Sequence, residues 1–189
     1  MMSTGEPDLL FQINARSQVF IVKELATFAL GYIGVYLFVV RIYSPDSQYI
    51  MTPLFIYAFL ITEVIPSSII HFQYLWLNKH VQLRLNAANR TLTVRVNDIC
   101  ESFHFDEVRR VEIYLVSALY RGRKAGWSVW DRYHYAIVEI DGGKQFVITC
   151  LLMNDLRQFF KDIQVSSTWK RVIFPVVLLT RYKAKDAAS

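Results

Sequence analysis

Two long apolar blocks dominate the first part of the chain. Residues 20–40 form a block of 21 residues, with no charged side chain between positions 25 and 40. Residues 49–77 form a second block whose one charged side chain is Glu63. A helix rises about 1.5 Å per residue, so each block can cross the hydrocarbon core of a bilayer, about 30 Å thick. The pattern predicts transmembrane helices at about residues 20–41 and 49–77.

The short connection between the blocks indicates an antiparallel hairpin. Residues 41–48 contain Ser-Pro-Asp, which favours a tight turn. A cleaved signal peptide is the alternative for the first block, but the start of the chain is acidic and no small-residue cleavage site follows the block. The connection carries no net charge, whereas residues 78–189 carry 18 basic and 11 acidic side chains, a balance of +7. The positive-inside tendency therefore predicts that both termini are cytoplasmic.

The second block is longer than a bilayer requires. It either tilts or projects as a stalk into the cytoplasm. The stalk is favoured because polarity rises after Pro66, at Ser67, Ser68, His71 and Gln73. Pro66 also removes one helical hydrogen bond, which predicts a kink near Thr62.

Glu63 is the acidic residue that the sequence places at membrane depth. The hairpin register puts it near Thr27 and one turn from Lys23, so we predict an intramembrane pair between Lys23 and Glu63. An ion or proton pathway through Glu63 is the functional alternative. We favour the structural pair, since two helices cannot enclose a pore.

From His80 onward the apolar positions alternate, and this period of two is typical of half-buried strands. We predict about six strands, over residues 81–85, 92–96, 99–105, 110–119, 133–140 and 145–152. Asp141-Gly142-Gly143-Lys144 is a hairpin turn, because glycine tolerates positive φ. Asn154 is the predicted cap of a final helix, whose apolar stripe consists of Leu156, Phe159, Phe160 and Ile163.

The predicted fold class is therefore an α+β membrane protein, with a two-helix transmembrane hairpin followed by a bent antiparallel sheet that a C-terminal helix closes. The predicted divisions are a cytoplasmic tail 1–19, the hairpin 20–78, a cytoplasmic domain 79–165 and a basic tail 166–189. Within that tail, residues 172–179 are apolar but too few to span a bilayer. They form an edge strand, a segment docked on the stalk or an interfacial anchor, and docking on the protein or on the membrane surface is favoured.

One stretch of the predicted sheet carries a family resemblance. Residues 100–111 read Cys-Glu-Ser-Phe-His-Phe-Asp-Glu-Val-Arg-Arg-Val. With the later hairpin and the closing helix at 156–163, they resemble the bacterial pleckstrin-homology-like (PH-like) domains that often follow a pair of membrane helices. The resemblance covers about residues 20–165, and it implies a PH-like domain at the inner membrane of a bacterium. It carries over no ligand-binding motif, since the turn at 86–90 is too short and too weakly basic for the phosphoinositide loop of eukaryotic relatives.

Composition adds few candidates for chemistry. The chain is 53% hydrophobic with a mean hydropathy of +0.25, and most of the excess lies in the two blocks. Cys100 and Cys150 lack a CxxC motif, so a reducing compartment favours free, buried thiols. The four histidines have no metal-site spacing, and no phosphate loop or nucleophile elbow occurs. We predict no catalytic residue, cofactor or metal, and the diffuse positive charge does not favour nucleic acid.

The loop at residues 120–133 is the most distinctive part of the predicted domain. It interleaves cations with indole rings, at Arg121, Arg123, Lys124, Trp127, Trp130 and Arg132. Beside a bilayer, the rings can enter the headgroup layer while the cations meet anionic lipid headgroups. The alternative is an ordinary long hairpin with its rings on the sheet and its cations in water. The sequence does not separate the two.

The sequence as a whole predicts a membrane-anchored, non-enzymatic interaction module that binds a protein partner or anionic lipid. The alternative is an accessory subunit of a larger membrane complex, or a homo-oligomer. In that alternative Glu63, Gly31 and Gly34 contact other helices, since small residues permit close packing.

Overall fold

A computed structural model describes residues 9–42, 48–86, 88–123 and 126–177. Within these ranges the strands are β1 Leu9–Gln12, β2 Val81–Asn86, β3 Thr91–Val96, β4 Ile99–His104, β5 Val108–Val116, β6 His134–Ile140, β7 Gln145–Thr149 and β8 Ser167–Val172. The helices are α1 Ala15–Ile42, α2 Gln48–Phe59, α3 Ile65–Asn78, α4 Ser117–Tyr120 and α5 Leu156–Asp162. A π-helical turn, Leu60–Val64, joins α2 to α3, and 3-10 turns lie at Phe105–Glu107 and Val129–Arg132.

The strands form two four-stranded sheets that pack face to face. The first sheet has the order β1-β2-β3-β4, and the second has the order β7-β6-β5-β8, in which β8 runs parallel to β5 and the other pairs are antiparallel. Alternate side chains of each strand point to the space between the sheets. This main core includes Leu83 and Leu92 from the first sheet, Ile113 and Val138 from the second, and Leu156 and Phe160 from α5. The six predicted strands are confirmed as β2 to β7, and the closing helix is confirmed as α5. Two strands end earlier than predicted, β5 at Val116, where α4 begins, and β7 at Thr149.

The strand β1 lies in the segment that the sequence analysis treats as a tail. It pairs with β2, from Leu9 opposite Leu85 to Gln12 opposite Gln82. Phe11 of β1 meets Phe159 of α5 edge-on, with 5.7 Å between the ring centroids. The helical hairpin is therefore inserted between two neighbouring strands of one sheet. The prediction that it precedes the whole domain is wrong, because four half-exposed residues give too short an alternation to read.

The strand β8 also lies outside the predicted domain, within residues 166–189. It extends the second sheet beside β5, from Val111 opposite Ser167 to Val116 opposite Val172. Its charged residues interrupt the alternation of apolar and polar positions, so the sequence pattern does not indicate a strand. One of them, Lys170, pairs with the neighbouring strand, with its Nζ 2.9 Å from Glu112 Oε1. The domain thus continues past residue 165, and the sheets have eight strands in place of about six.

Local turn chemistry agrees with most of the predicted boundaries. Gly142 and Gly143 adopt φ of 86° and 83° in the turn between β6 and β7, as the hairpin prediction requires. The cap of α5 is Asp155, whose carboxylate accepts from the Gln158 amide at 3.1 Å. The prediction of Asn154 as the cap is therefore wrong by one residue.

The helices α1 and α2 form the predicted antiparallel hairpin. The Tyr36 hydroxyl lies 2.7 Å from that of Thr52 on α2, and the Tyr32 hydroxyl lies 2.9 Å from that of Thr62 in the π-helical turn that follows. The stretches Ile21–Ile42 and Tyr49–Asn78 are long and apolar enough to cross a membrane, judged by length and composition. Pro66 predicts an irregularity of the second stretch near Thr62, and the π-helical turn Leu60–Val64 contains that residue.

The helix α3, which we call the stalk, packs against the domain, and polarity rises along it after Pro66. Its residues Ile70, Tyr74 and Asn78 are almost fully buried. They pack on the outer face of the second sheet, where a second apolar cluster contains Tyr114, Tyr135 and Val147. The second sheet is thus covered on both faces, by the first sheet and by the stalk.

Replacing Phe11 by Ala tests whether β1 belongs to the domain core. We expect the free energy of unfolding in detergent to fall by about 2 kcal/mol, because the ring leaves a cavity against Phe159. Leu10→Ala, at the neighbouring exposed position, is the matched control and should change it by less than about 0.5 kcal/mol. Equal effects of the two substitutions would contradict the placement of β1.

Candidate functional site

The candidate site is the junction where the helical hairpin meets the domain. Two side-chain amides of α3 form hydrogen bonds with backbone groups of the domain there. Asn78 donates to the Val147 carbonyl at 2.9 Å and accepts from the Thr149 amide at 3.0 Å. Gln73 likewise donates to the Val177 carbonyl at 2.9 Å and accepts from the Val177 amide at 3.0 Å. Asn78 thus pairs with two backbone groups at the edge of β7 as a neighbouring strand would, and Gln73 pairs with the segment that follows β8.

Tyrosines fill the space between the stalk and the second sheet. Tyr114 and Tyr135 stack with ring centroids 4.6 Å apart, and Tyr74 donates to the Pro175 carbonyl at 2.7 Å. Burial raises the pKa of Tyr133 well above its ordinary value. Its hydroxyl is therefore protonated at neutral pH, and it lies 3.0 Å from Nδ1 of His71.

The carboxylate of Glu63 is held by the loop of the domain. Its Oε2 accepts from the Val129 amide at 2.8 Å, and the neighbouring Thr62 carbonyl accepts from the Trp130 indole at 3.3 Å. Glu63 is buried, so this backbone donor replaces the water that a carboxylate would otherwise require.

The structure does not bring Lys23 and Glu63 together as the predicted pair. The turn Val129–Arg132 takes the position next to Glu63, and the Lys23 side chain is exposed. The neighbouring acid on α1 faces inward instead, with Glu24 Oε1 2.9 Å from Arg132 Nη1. The hairpin register places the helices correctly, but it contains no information on what the domain inserts between them.

The loop at residues 120–133 divides into a docked part and an exposed part. Arg132 and Trp130 belong to the docked part, and the Trp130 ring also meets Phe174 with 5.3 Å between centroids. Arg121, Arg123 and Trp127 remain exposed, with Trp127 at 87%. Lys124 lies outside the described residues.

Trp127 is presented by a tightly constructed turn. The Asp131 carboxylate accepts from the amides of Trp127, at 2.7 Å, and Ser128, at 3.2 Å. A Cβ at Gly126 would lie 2.1 Å from Cβ of Asp131, so this position requires glycine. The backbone at Trp127 is thus well fixed while its ring is free of the domain core.

The segment after β8 docks on the stalk as far as the structure describes it. The carbonyl of Pro175 and both peptide groups of Val177 bind side chains of α3. Of the three alternatives for residues 172–179, Val172 is the last residue of the edge strand β8, and Pro175 and Val177 dock on the stalk. Residues 178–189 lie outside the described ranges.

Other reactive groups are dispersed over the domain. Burial raises the pKa of the Cys150 thiol to about 12, whereas Cys100 is exposed on β4. Burial lowers the pKa of His134. In the described ranges, no group of three or more His, Cys, Asp or Glu side chains is placed to hold a metal ion.

A family model described as a PH domain matches residues 10–160 of the chain. The chain belongs to the PH-domain family. The match begins within β1 and includes both apolar helices, in agreement with a hairpin inserted after the first strand of the PH domain. Neither the search of curated proteins nor the search of solved structures gave a match.

The sequence did not single out Glu24 or Asn78 of this PH-domain junction, and Gln73 was noted only for the rise in polarity after Pro66. Gln73 and Asn78 are polar positions within or at the end of an otherwise apolar block, a signal that points to a buried partner. Glu24 is adjacent to Lys23, and the two cannot be ranked from the sequence, because only the rotation of α1 decides which side chain faces the domain.

Asn78→Ala tests the connection between stalk and PH domain. The Val147 carbonyl and the Thr149 amide would lose their partner in a buried place, so we expect a loss of about 3 kcal/mol in the free energy of unfolding. Urea titration of the full chain in detergent, followed by tryptophan fluorescence, measures it. The exposed Asn89→Ala should be nearly neutral, and a neutral Asn78→Ala would argue against this connection.

Proposed function

We propose that this chain is a membrane-anchored, non-enzymatic PH-domain module, held at the inner face of a bacterial plasma membrane, that binds a protein partner or anionic lipid. One observation carries the proposal. The hairpin is apolar and exposed in the half away from the domain, with Leu30 at 70%, Phe38 at 66% and Ile50 at 73%. A monomer in water rarely exposes so large an apolar surface, whereas hydrocarbon covers it at no cost.

The dimensions of the hairpin support this anchoring. Contacts with the domain reach Glu24 on α1 and Thr62 on the second helical stretch. Beyond Glu24, α1 continues for 18 residues to Ile42, about 27 Å of helix. That length is close to the hydrocarbon thickness of about 30 Å. The domain would then rest directly against the membrane surface.

The topology of the sheet supports a common side for both ends of the hairpin. Because β1 and β2 are neighbouring strands, α1 must begin, and α3 must end, at the domain. The excess of basic residues from position 78 onward favours the cytoplasm for that side.

The exposed part of the loop is the proposed contact with lipid headgroups or a partner. PH domains generally bind lipids or proteins. Arg121 and Arg123 are exposed. They lie on the same loop that docks against the end of the hairpin next to the domain. Cations near an anionic surface contribute about 1 kcal/mol each.

An accessory subunit of a larger membrane complex is the second candidate. It is supported by the open surface of α1 at Gly31 and Gly34, where an added Cβ would meet nothing within 4 Å. Crosslinking in native membranes distinguishes the two, since a subunit gives a discrete larger species and a free module gives the monomer.

The native cysteines provide a direct test of topology. An impermeant maleimide should label Cys100 in inverted vesicles but not in intact cells, because the proposal places the domain in the cytoplasm. Cys150 should react only after denaturation, since its thiol is buried and its pKa is about 12. Cys100→Ser is the control, and labelling in intact cells would contradict the proposed orientation.

Removing the two exposed loop cations tests the lipid part of the proposal. Arg121→Gln with Arg123→Gln should lower the anionic share of the phospholipids that co-purify with the full chain by about threefold or more, since two favourable charges are lost. Arg109→Gln with Lys161→Gln removes two exposed charges elsewhere on the domain and is the matched control. Equal lipid profiles for the two double variants would leave a protein partner as the remaining target.

A further inference from the structure

We propose that one acyl chain of a membrane phospholipid occupies a groove between Trp127 and the helical hairpin. The inference rests on the proposed membrane anchoring, and it names the lipid contact that the loop makes there.

The groove lies along one face of α1 on the side of the loop. Its volume is about 520 Å³, and it is lined by Thr27, Phe28, Gly31, Tyr32, Val35, Phe55 and Trp127. Thr27, Gly31 and Val35 follow one another at intervals of four residues, so they share a helix face. Gly31 lies in the middle of this row and faces open space, since a Cβ there would meet nothing within 4 Å. The lining is almost entirely apolar, which suits a hydrocarbon ligand.

Trp127 forms one wall of the groove although its ring is 87% exposed. Its backbone is held by Asp131, so the turn keeps the indole beside the hairpin without burying it in the domain. Tryptophan concentrates where hydrocarbon meets water, because one part of the ring is apolar and the indole nitrogen can bind polar groups. A lipid chain supplies the apolar contact that the domain does not.

An ion pair lies next to the groove on the side of the domain, outside its lining. Glu24 precedes Phe28 by one helical turn, and its carboxylate pairs with Arg132 at 2.9 Å. The Arg132 side chain remains 39% exposed, and a guanidinium has further donors for a phosphate group. An apolar slot next to a partly exposed guanidinium matches a phospholipid, whose chains end at a charged headgroup.

The same ion pair argues against a transmembrane helix as the occupant. A helix is about 10 Å wide with its side chains, and one that continues into the cytoplasm would run into Arg132 and the turn that contains it. An acyl chain ends at the interface and meets no such obstacle. The exposed surface of α1 at Gly34 lies outside the lining of this groove, so a partner helix could use it independently.

Fluorescence of Trp127 in lipid vesicles tests the proposal. The full chain is reconstituted into phosphatidylcholine–phosphatidylglycerol vesicles whose acyl chains carry bromine. The difference between wild type and Trp127→Phe isolates the emission of Trp127 from that of the other tryptophans. We expect the brominated chains to quench this emission. Gly31→Leu fills the groove with an apolar side chain and should weaken the quenching by about threefold, whereas Gly34→Leu, at an equally open position of the same helix, should not.

Equal quenching in the two glycine variants, or no quenching of the Trp127 emission, would overturn the proposal. Protection of the buried Cys150 from maleimide in the same vesicles reports folding, and flotation with the vesicles after alkaline carbonate extraction reports insertion. If the protein is inserted and the groove result fails, the acyl-chain site is wrong and the anchoring stands. If the protein does not insert, both proposals fail.

Discussion

The contact between α3 and the outer face of the second sheet holds the rest of the arrangement together. A helix that packs on a sheet must satisfy the polar groups that it buries, because unpaired polar groups are costly away from water. Asn78 and Gln73 do so by pairing with backbone groups of Val147, Thr149 and Val177. The stalk thereby covers one sheet face, pairs with the edge of β7 and receives the segment that follows β8.

This contact also determines how the hairpin and the domain are oriented. A domain on a flexible linker samples many orientations, but here the hairpin leaves from β1 and returns to β2, and α3 is packed along its buried face. Two covalent connections and one broad contact restrain the domain from rotating about the hairpin. The loop that carries Trp127 is consequently presented on a defined side of the helices, which is what a fixed lipid contact requires.

The site uses its charged residues for two separate purposes. Glu24 with Arg132, and Glu63 with the Val129 amide, join the loop to the helices. Arg121 and Arg123 remain exposed, available to an anionic surface under the proposed function. Because some cations of this loop are paired and others are exposed, the number of its cations does not describe its role. The docked residues give the loop its position, and the exposed ones give it a surface.

The patterns of residues along the chain were enough to predict the helical hairpin, the irregularity before Pro66, the strands β2 to β7 and the closing helix α5. Each of these is a local periodicity or a turn signal, which neighbouring residues determine. The strand β1 was missed because it is short and mostly exposed, and β8 because it is partly charged; each is defined by pairing with a remote strand. Only the tertiary structure decided which group binds Glu63 and whether Trp127, Trp130 and Arg132 are docked or exposed. These contacts follow from the rotation of α1 and the docking of a distant loop.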